Sequence, residues 1–302
     1  MRIGIDVGGT KIEGIALNPL GEVLFRERIS TPAGDYAGTV KAVSGLVDRI
    51  ERDTGETGSV GIGIPGTISS RTGLVKNANS TCLIGQPFDR DISDALGREV
   101  RVANDADCFA ISEATDGAAT GYRSVFGAIL GTGVGGGLVV DGSLLAGPNG
   151  IAGEWGHNPL PGLEEASAPV CNCGRRGCIE TFLSGPGLSN DHYRHTGEKM
   201  DAHHIAVAGK SGDTGAAASQ ERYTGRLARA LAGVINIFDP DAIVLGGGLS
   251  NIPGLTETVR LRLAPHVFSD SLETALLTPE HGDSSGVRGA AYLWPPETGR
   301  GP

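Results

Sequence analysis

Between Gly153 and Glu180 the chain carries Glu154, His157, Cys171, Cys173, Cys178 and Glu180. Three thiols and an imidazole in one short span are the donor set of a closed, tetrahedral zinc site. Gly174 and Gly177 lie between the second and third of these cysteines, where the chain must turn sharply to aim two thiolates at one ion. The competing use of the thiols is a disulfide. The odd total of 5 cysteines and the lack of any mark of secretion argue against it. Cys82 and Cys108 stand apart and read as buried free thiols. Zinc has no need of Glu154 or Glu180. The knot therefore reads either as a plain loop stabiliser or as a clamp that also holds polar side chains for other chemistry.

Further candidates sit at strand ends. Asp6 closes an apolar run and is followed by Gly8, Gly9, Thr10 and Lys11. Such a turn can point successive N–H groups at phosphate oxygens, while the carboxylate holds Mg²⁺ directly or through water. Gly131-Thr132-Gly133-Val134-Gly135 repeats the device, and Gly246-Gly247-Gly248 follows a third strand, where a purine could approach the backbone closely. Each turn alone reads more readily as a plain turn; their repetition points to a nucleotide. Gly61–Gly66 and Gly131–Gly136 both fit Gly-x-Gly-x-x-Gly, but neither opens a helix, so a dinucleotide site is rejected. Asn104-Asp105 stands where a strand gives way to a helix. Asp105 is either the cap of that helix or a general base that takes a proton from a hydroxyl.

The elements that place these residues follow from pattern. Ile3–Val7, Lys11–Leu17 and Glu22–Ile29 read as a strand meander. Val40, Val43, Leu46, Val47 and Ile50 keep helical spacing over 37–54, and Ser59–Ile64 is the next strand. Val100–Val102 precedes a helix to about Thr115. Ser124–Leu130 and Gly136–Val140 then repeat the opening hairpin. Leu227, Leu231, Val234, Ile235 and Phe238 mark a helix over 220–238, Ala242–Leu245 a buried strand, and Gly286–Trp294 a last helix. The stretch 201–218 reads as a mobile surface region and residues from Glu297 as a loose tail.

Composition narrows the function. A net charge of −10 argues against nucleic acid and against a polybasic membrane patch, but not against a nucleotide held by backbone N–H groups. No signal-peptide pattern or membrane span is seen, so a cytoplasmic location is expected.

Taken together, these residues resemble the ROK family of sugar kinases, and bacterial fructokinases within it. The resemblance rests on Asp6–Lys11, Gly63-Ile64-Pro65-Gly66, Asn104-Asp105-Ala106, Gly131–Gly135, Glu154-Trp155-Gly156-His157, the run Cys171 to Glu180, and Asp241–Gly248. It implies an α/β fold of two actin-like (ribonuclease H-like) lobes with the active site in the cleft: 1–117 joined by helix 286–296, and 118–285 carrying the zinc loop 157–178, with a tail at 297–302. It implies that Asp6, Gly8, Gly9, Thr10, Lys11, Gly131, Thr132, Gly133, Val134, Gly135, Gly247 and Gly248 bind ATP. Asp105 is then the catalytic base, and Asn104, Asp105, Glu154, His157, Glu180 and Gly66 bind the sugar. His157, Cys171, Cys173 and Cys178 hold structural Zn²⁺, Mg²⁺ accompanies ATP, and a homodimer is expected.

Asp107 departs from the family's usual Asn. The sugar expected is fructose, from Lys76–Thr81 and His157–Pro161, with glucose, mannose and N-acetylglucosamine as alternatives. The family also contains sugar-responsive transcriptional regulators. With a first strand at Ile3 no room is left for their DNA-binding helix-turn-helix. A non-enzymatic actin-like ATPase module leaves the zinc cluster and its two glutamates unexplained.

Overall fold

A computed structural model of the chain describes residues 1–78, 80–162 and 168–295. Contacts group 1–121, 137–152 and the described residues from 283 into a first unit, and 122–136 with 153–282 into a second. Stretch 137–152, expected with the second lobe, thus joins the first. The reason is local: Gly137 lies so close to Ala106 O that an added Cβ would sit 2.7 Å away. The expected tail 297–302 and Pro296 lie outside the described residues.

The first unit opens with β1 (Arg2–Val7), β2 (Lys11–Leu17) and β3 (Val23–Ser30), followed by α1 (Tyr36–Thr54) and β4 (Ser59–Ile64). A small hairpin, β5 (Thr67–Ile68) and β6 (Val75–Lys76), leads to α2 (Phe88–Leu96), β7 (Val100–Asn104) and α3 (Asp105–Thr115). The sheet order is β3-β2-β1-β4-β7, with β1, β4 and β7 parallel. α1 starts where Asp35 accepts from Gly38 N–H and stops at Gly55 (φ 71°). It buries Val43, Leu46, Val47 and Ile50 against Ile3, Ile5 and Ile12.

The second unit opens with β8 (Ser124–Leu130), which turns into β9 (Val134–Val140); the chain from Gly137 on, with β10 (Ser143–Leu144) paired back on β9, groups with the first unit. After the cysteine loop come α4 (Glu180–Leu183), α5 (Gly185–Thr196), α6 (Ala202–Lys210), α7 (Thr214–Phe238), β11 (Ala242–Gly246), α8 (Leu255–Leu263) and β12 (Ala275–Leu277). The sheet order β10-β9-β8-β11-β12 repeats that of the first sheet, so the duplicated glycine turns are parts of a duplicated fold. The stretch 201–218, expected as a mobile surface region, forms α6 and the start of α7. Asp201 and Asp213 cap α6 and α7, and Ile205, Ala206 and Ala216 are buried. Their small residues lack the regular apolar period that marks α1. Buried Asp191 on α5 pairs with Arg222 (2.8 Å) and Arg226 (2.7 Å) of α7, which fixes α5.

The last helix, α9 (Ser285–Tyr292), packs on β1, β4 and α3. Glycines make this approach possible. A Cβ on Gly61 would lie 1.9 Å from Ala290 O, one on Gly4 2.1 Å from Val287 O, and one on Gly289 1.6 Å from Cys108 O. The Gly61–Gly66 motif is therefore in part a packing surface. Gly61→Ala is expected to cost about 1–3 kcal/mol or more in a urea melt, because backbone must move. Gly45→Ala in α1, where an added Cβ meets nothing within 4 Å, should be neutral or stabilise by up to about 1 kcal/mol.

Candidate active site

In the second unit, the ligand atoms of His157, Cys171, Cys173 and Cys178 all lie within 4.8 Å of one another. Cys173 Sγ is 3.6 Å from Cys178 Sγ, and Cys171 Sγ is 3.6 Å from His157 Nδ1. Tetrahedral zinc with Zn–S near 2.3 Å places sulfurs about 3.8 Å apart, so the donor set fits the ion. The loop reaches this geometry through Gly174 (φ 85°) and Gly177 (φ 74°) and through backbone bridges Pro159–Cys178 and Val170–Arg176. Burial pushes the Cys178 thiol up to about 12, and a bound dication reverses that preference. The polar stretch Glu164–Ser167 lies outside the described residues.

The knot is tied to the second glycine turn. Glu180 opens α4 two residues after Cys178, and its Oε2 accepts from Val134 N–H at 3.0 Å. Its Oε1 lies 3.8 Å from Cys171 Sγ. Trp155 Nε1 donates to Gly135 O at 2.7 Å, and its ring meets Phe126 edge-on. Thus the motif Glu154–His157 and the carboxylate of Glu180 brace one turn from two sides. Val134 N–H is committed to Glu180. The N–H groups of Thr132 and Gly133 have no acceptor among the described residues.

Beside that turn lies a cavity of about 700 Å³, large enough for a nucleoside. Gly131, Thr132, Gly185 and Gly248 border it, α6 supplies Val207 and Lys210, and Leu249, Ile252 and Pro253 add an apolar lining. Gly247 (φ 82°) is required there, because a Cβ would lie 2.5 Å from Leu130 O. The sequence reading found the glycines but missed the α6 side chains, whose region it took to be mobile.

In the first unit, Asp6 and Asn104 share one sheet edge. Asp6 pairs in register with Gly63 of β4, and Asn104 of β7 with Ile64. Asn104 caps α3: its Oδ1 accepts from Ala106 N–H at 2.9 Å, and its Nδ2 donates to Gly66 O at 3.2 Å. Asp105 therefore stands at the first helical position, exposed, rather than serving as the cap residue. Asp6 has glycine on both sides. A Cβ on Gly286 would be 3.5 Å from its Oδ2, and one on Gly63 3.7 Å from its Oδ1. Burial, then the charges of Asp105 and Glu13, raise Asp6 to about 6 against the opposing pull of Arg28 and Lys11. In the turn that follows, Gly8 N–H bonds Lys11 O at 2.9 Å, and the N–H groups of Gly9 and Thr10 have no acceptor among the described residues.

Residues 2–297 match the ROK family. The chain belongs to the ROK family. It is 42% identical to the N-acetyl-D-glucosamine kinase of Vibrio cholerae serotype O1, over 97% of this chain and 99% of the other. The N-acetyl-D-glucosamine kinase of Haemophilus influenzae is 40% identical with the same coverage. The crystal structure of the ROK hexokinase from Thermus thermophilus is similar with a TM-score of 0.87 at 30% identity, covering 97% of this chain and 96% of that one. That of a ROK family glucokinase from Streptomyces griseus, in complex with glucose and AMPPNP, has a TM-score of 0.79 at 28% identity, covering 97% and 98%. This ROK protein is an ATP-dependent sugar kinase. Among the described residues no helix is long and apolar enough to cross a membrane.

Two outcomes follow from the geometry. Metal analysis of purified protein should find about one zinc per chain. Cys178→Ser should lose the zinc and lower the melting temperature. For Asp6, the folded value near 6 exceeds the ordinary aspartate value of 3.8, so folding favours the protonated acid. That advantage is complete below about pH 4 and is lost as pH rises through about 6. Asp6→Asn should therefore melt higher than the parent at pH 8, by up to ~3 kcal/mol, with the gap closing towards pH 4.

Proposed function

We propose that this ROK kinase transfers the γ-phosphoryl group of ATP to the 6-hydroxyl of N-acetyl-D-glucosamine. The observation that carries the reading is 40–42% identity to N-acetyl-D-glucosamine kinases across nearly the whole of both chains. Fructose, expected from two short stretches, is not supported by these relatives. One of the stretches includes Asn79, which lies outside the described residues. N-acetylglucosamine, first an alternative, becomes the favoured acceptor.

Each unit contributes its own part. In the first, Asp105 accepts the proton of the attacking hydroxyl, and Asn104 fixes the helix start that presents it. The oxygen then attacks the γ-phosphorus, the bond to the β-phosphate oxygen breaks, and ADP leaves. Mg²⁺ at Asp6, when bound, supplies positive charge to the phosphates. The N–H groups of Gly9 and Thr10 take phosphate oxygens, with Gly8 and Lys11 framing the turn, and Gly66 joins Asn104 on the acceptor side. In the second unit, Gly131 to Gly135 hold phosphate through Thr132 and Gly133. Gly247 and Gly248 open the cavity that takes adenosine. Glu154, His157 and Glu180 are the sugar-facing set there, and zinc on His157, Cys171, Cys173 and Cys178 keeps the imidazole oriented.

A coupled ADP-release assay with MgATP tests this reading. N-acetyl-D-glucosamine should give the highest kcat/KM among N-acetyl-D-glucosamine, glucose, mannose and fructose. A higher value for fructose would reverse the assignment. Asp105→Asn should lower kcat by about 10²–10⁴-fold without lowering the melting temperature, since Asn104 supplies the cap and the charge that raises Asp6 is removed. Val207→Trp should fill the cavity and raise KM for ATP by roughly tenfold, about 1.4 kcal/mol.

A further inference from the structure

Ser80 precedes a 3-10 turn over Thr81–Leu83 and occupies its N-cap position. A serine there normally turns its hydroxyl back onto the N–H groups of the turn it starts. This one does not: no side-chain capping bond is formed. Its Oγ is nonetheless withdrawn from water and has no hydrogen-bond partner among the described residues. An unsatisfied buried hydroxyl costs about 1–3 kcal/mol, so one that persists calls for an explanation.

Its surroundings supply one. A Cβ built on Gly9 has Ser80 Oγ as its nearest neighbour, at 3.8 Å. Gly9 and Thr10 are the residues whose N–H groups lack acceptors in the turn after Asp6. Among the described residues, the partnerless Ser80 hydroxyl thus lies beside the turn whose two amides lack acceptors. A hydroxyl can donate where a phosphoryl oxygen accepts, and it adds no charge next to Asp6 and Asp105.

We infer that Ser80 is a further catalytic residue, whose hydroxyl donates to the phosphoryl group carried by the turn of Gly8 to Lys11. The inference rests on reading that turn as phosphate-binding. The donor matters most when charge is redistributed over the phosphoryl oxygens during transfer, so its loss falls mainly on kcat. Among the described residues, no internal hydrogen bond is lost when the hydroxyl is removed.

Ser80→Ala and Ser80→Thr test it, each read by steady-state kinetics with MgATP and N-acetyl-D-glucosamine and by thermal melting without ligand. Ser80→Ala is expected to lose roughly 10–100-fold in kcat, less than a full oxyanion donor gives, with KM for ATP within about threefold. Its melting temperature should be equal to or above that of the parent. Ser80→Thr should restore most of kcat, because it restores the hydroxyl. A Ser80→Ala enzyme within about twofold of the parent kcat overturns the assignment. So does a variant that melts well below the parent or fails to fold, since the hydroxyl would then be structural. If the parent itself phosphorylates no sugar, the kinase reading fails; failure in the variants alone leaves that reading intact.

Discussion

The first unit is arranged around a carboxylate that the fold does not neutralise. Asp6 ends β1 with Asp105 and Glu13 raising its pKa, and Arg28 and Lys11 only partly offset them. A carboxylate withdrawn from water beside like charges is costly, and Gly63 and Gly286 put no side chain of their own against its oxygens. The neighbouring glycines serve the same end. Gly4, Gly61 and Gly289 let α9 lie against the sheet and α3 with almost no side chain between them. The strand ends are thereby held closely against α9 and α3. Stability given up at such a point is recovered when the ligand brings its own positive charge.

The second unit is built on one hydrogen bond with a comparable reach. Glu180 accepts from Val134 N–H while standing two residues from Cys178. A metal on the four donors fixes the loop, the loop fixes Glu180, and Glu180 fixes the glycine turn that borders the cavity. Trp155 braces the other side of the same turn. Zinc on these four donors would have no open position, so it would contribute to geometry rather than to bond breaking.

Much of this was legible in the sequence because it depends on residue type at fixed spacing. The four metal donors, the paired glycine turns, the apolar period of α1 and the extents of β2, β4 and β8 all follow from local pattern. The duplicated sheet order follows from the repeated turn. Other features escaped because they depend on distant partners. Asp105 reads as a cap or a base until Asn104 is seen to do the capping. The packing role of Gly61 shows only once α9 is seen against it. Helix α6 reads as mobile because its small residues carry little periodic signal, and its Val207 and Lys210 were missed as cavity walls. Short runs that resembled fructokinases could not outweigh identity spread over 300 residues.

The account stands or falls on Asp6 as the group that waits for the cation. Calorimetry of Mg·ADP binding at pH 6, repeated in buffers of different ionisation enthalpy, counts the protons released. With a folded-state value of about 6, Asp6 is half protonated at that pH and must ionise to face Mg²⁺. The parent should therefore release roughly half a proton more per Mg·ADP than Asp6→Asn does, and the difference should vanish by pH 8. Equal proton release from the two proteins at pH 6, with Mg·ADP bound equally well by both, would contradict the account.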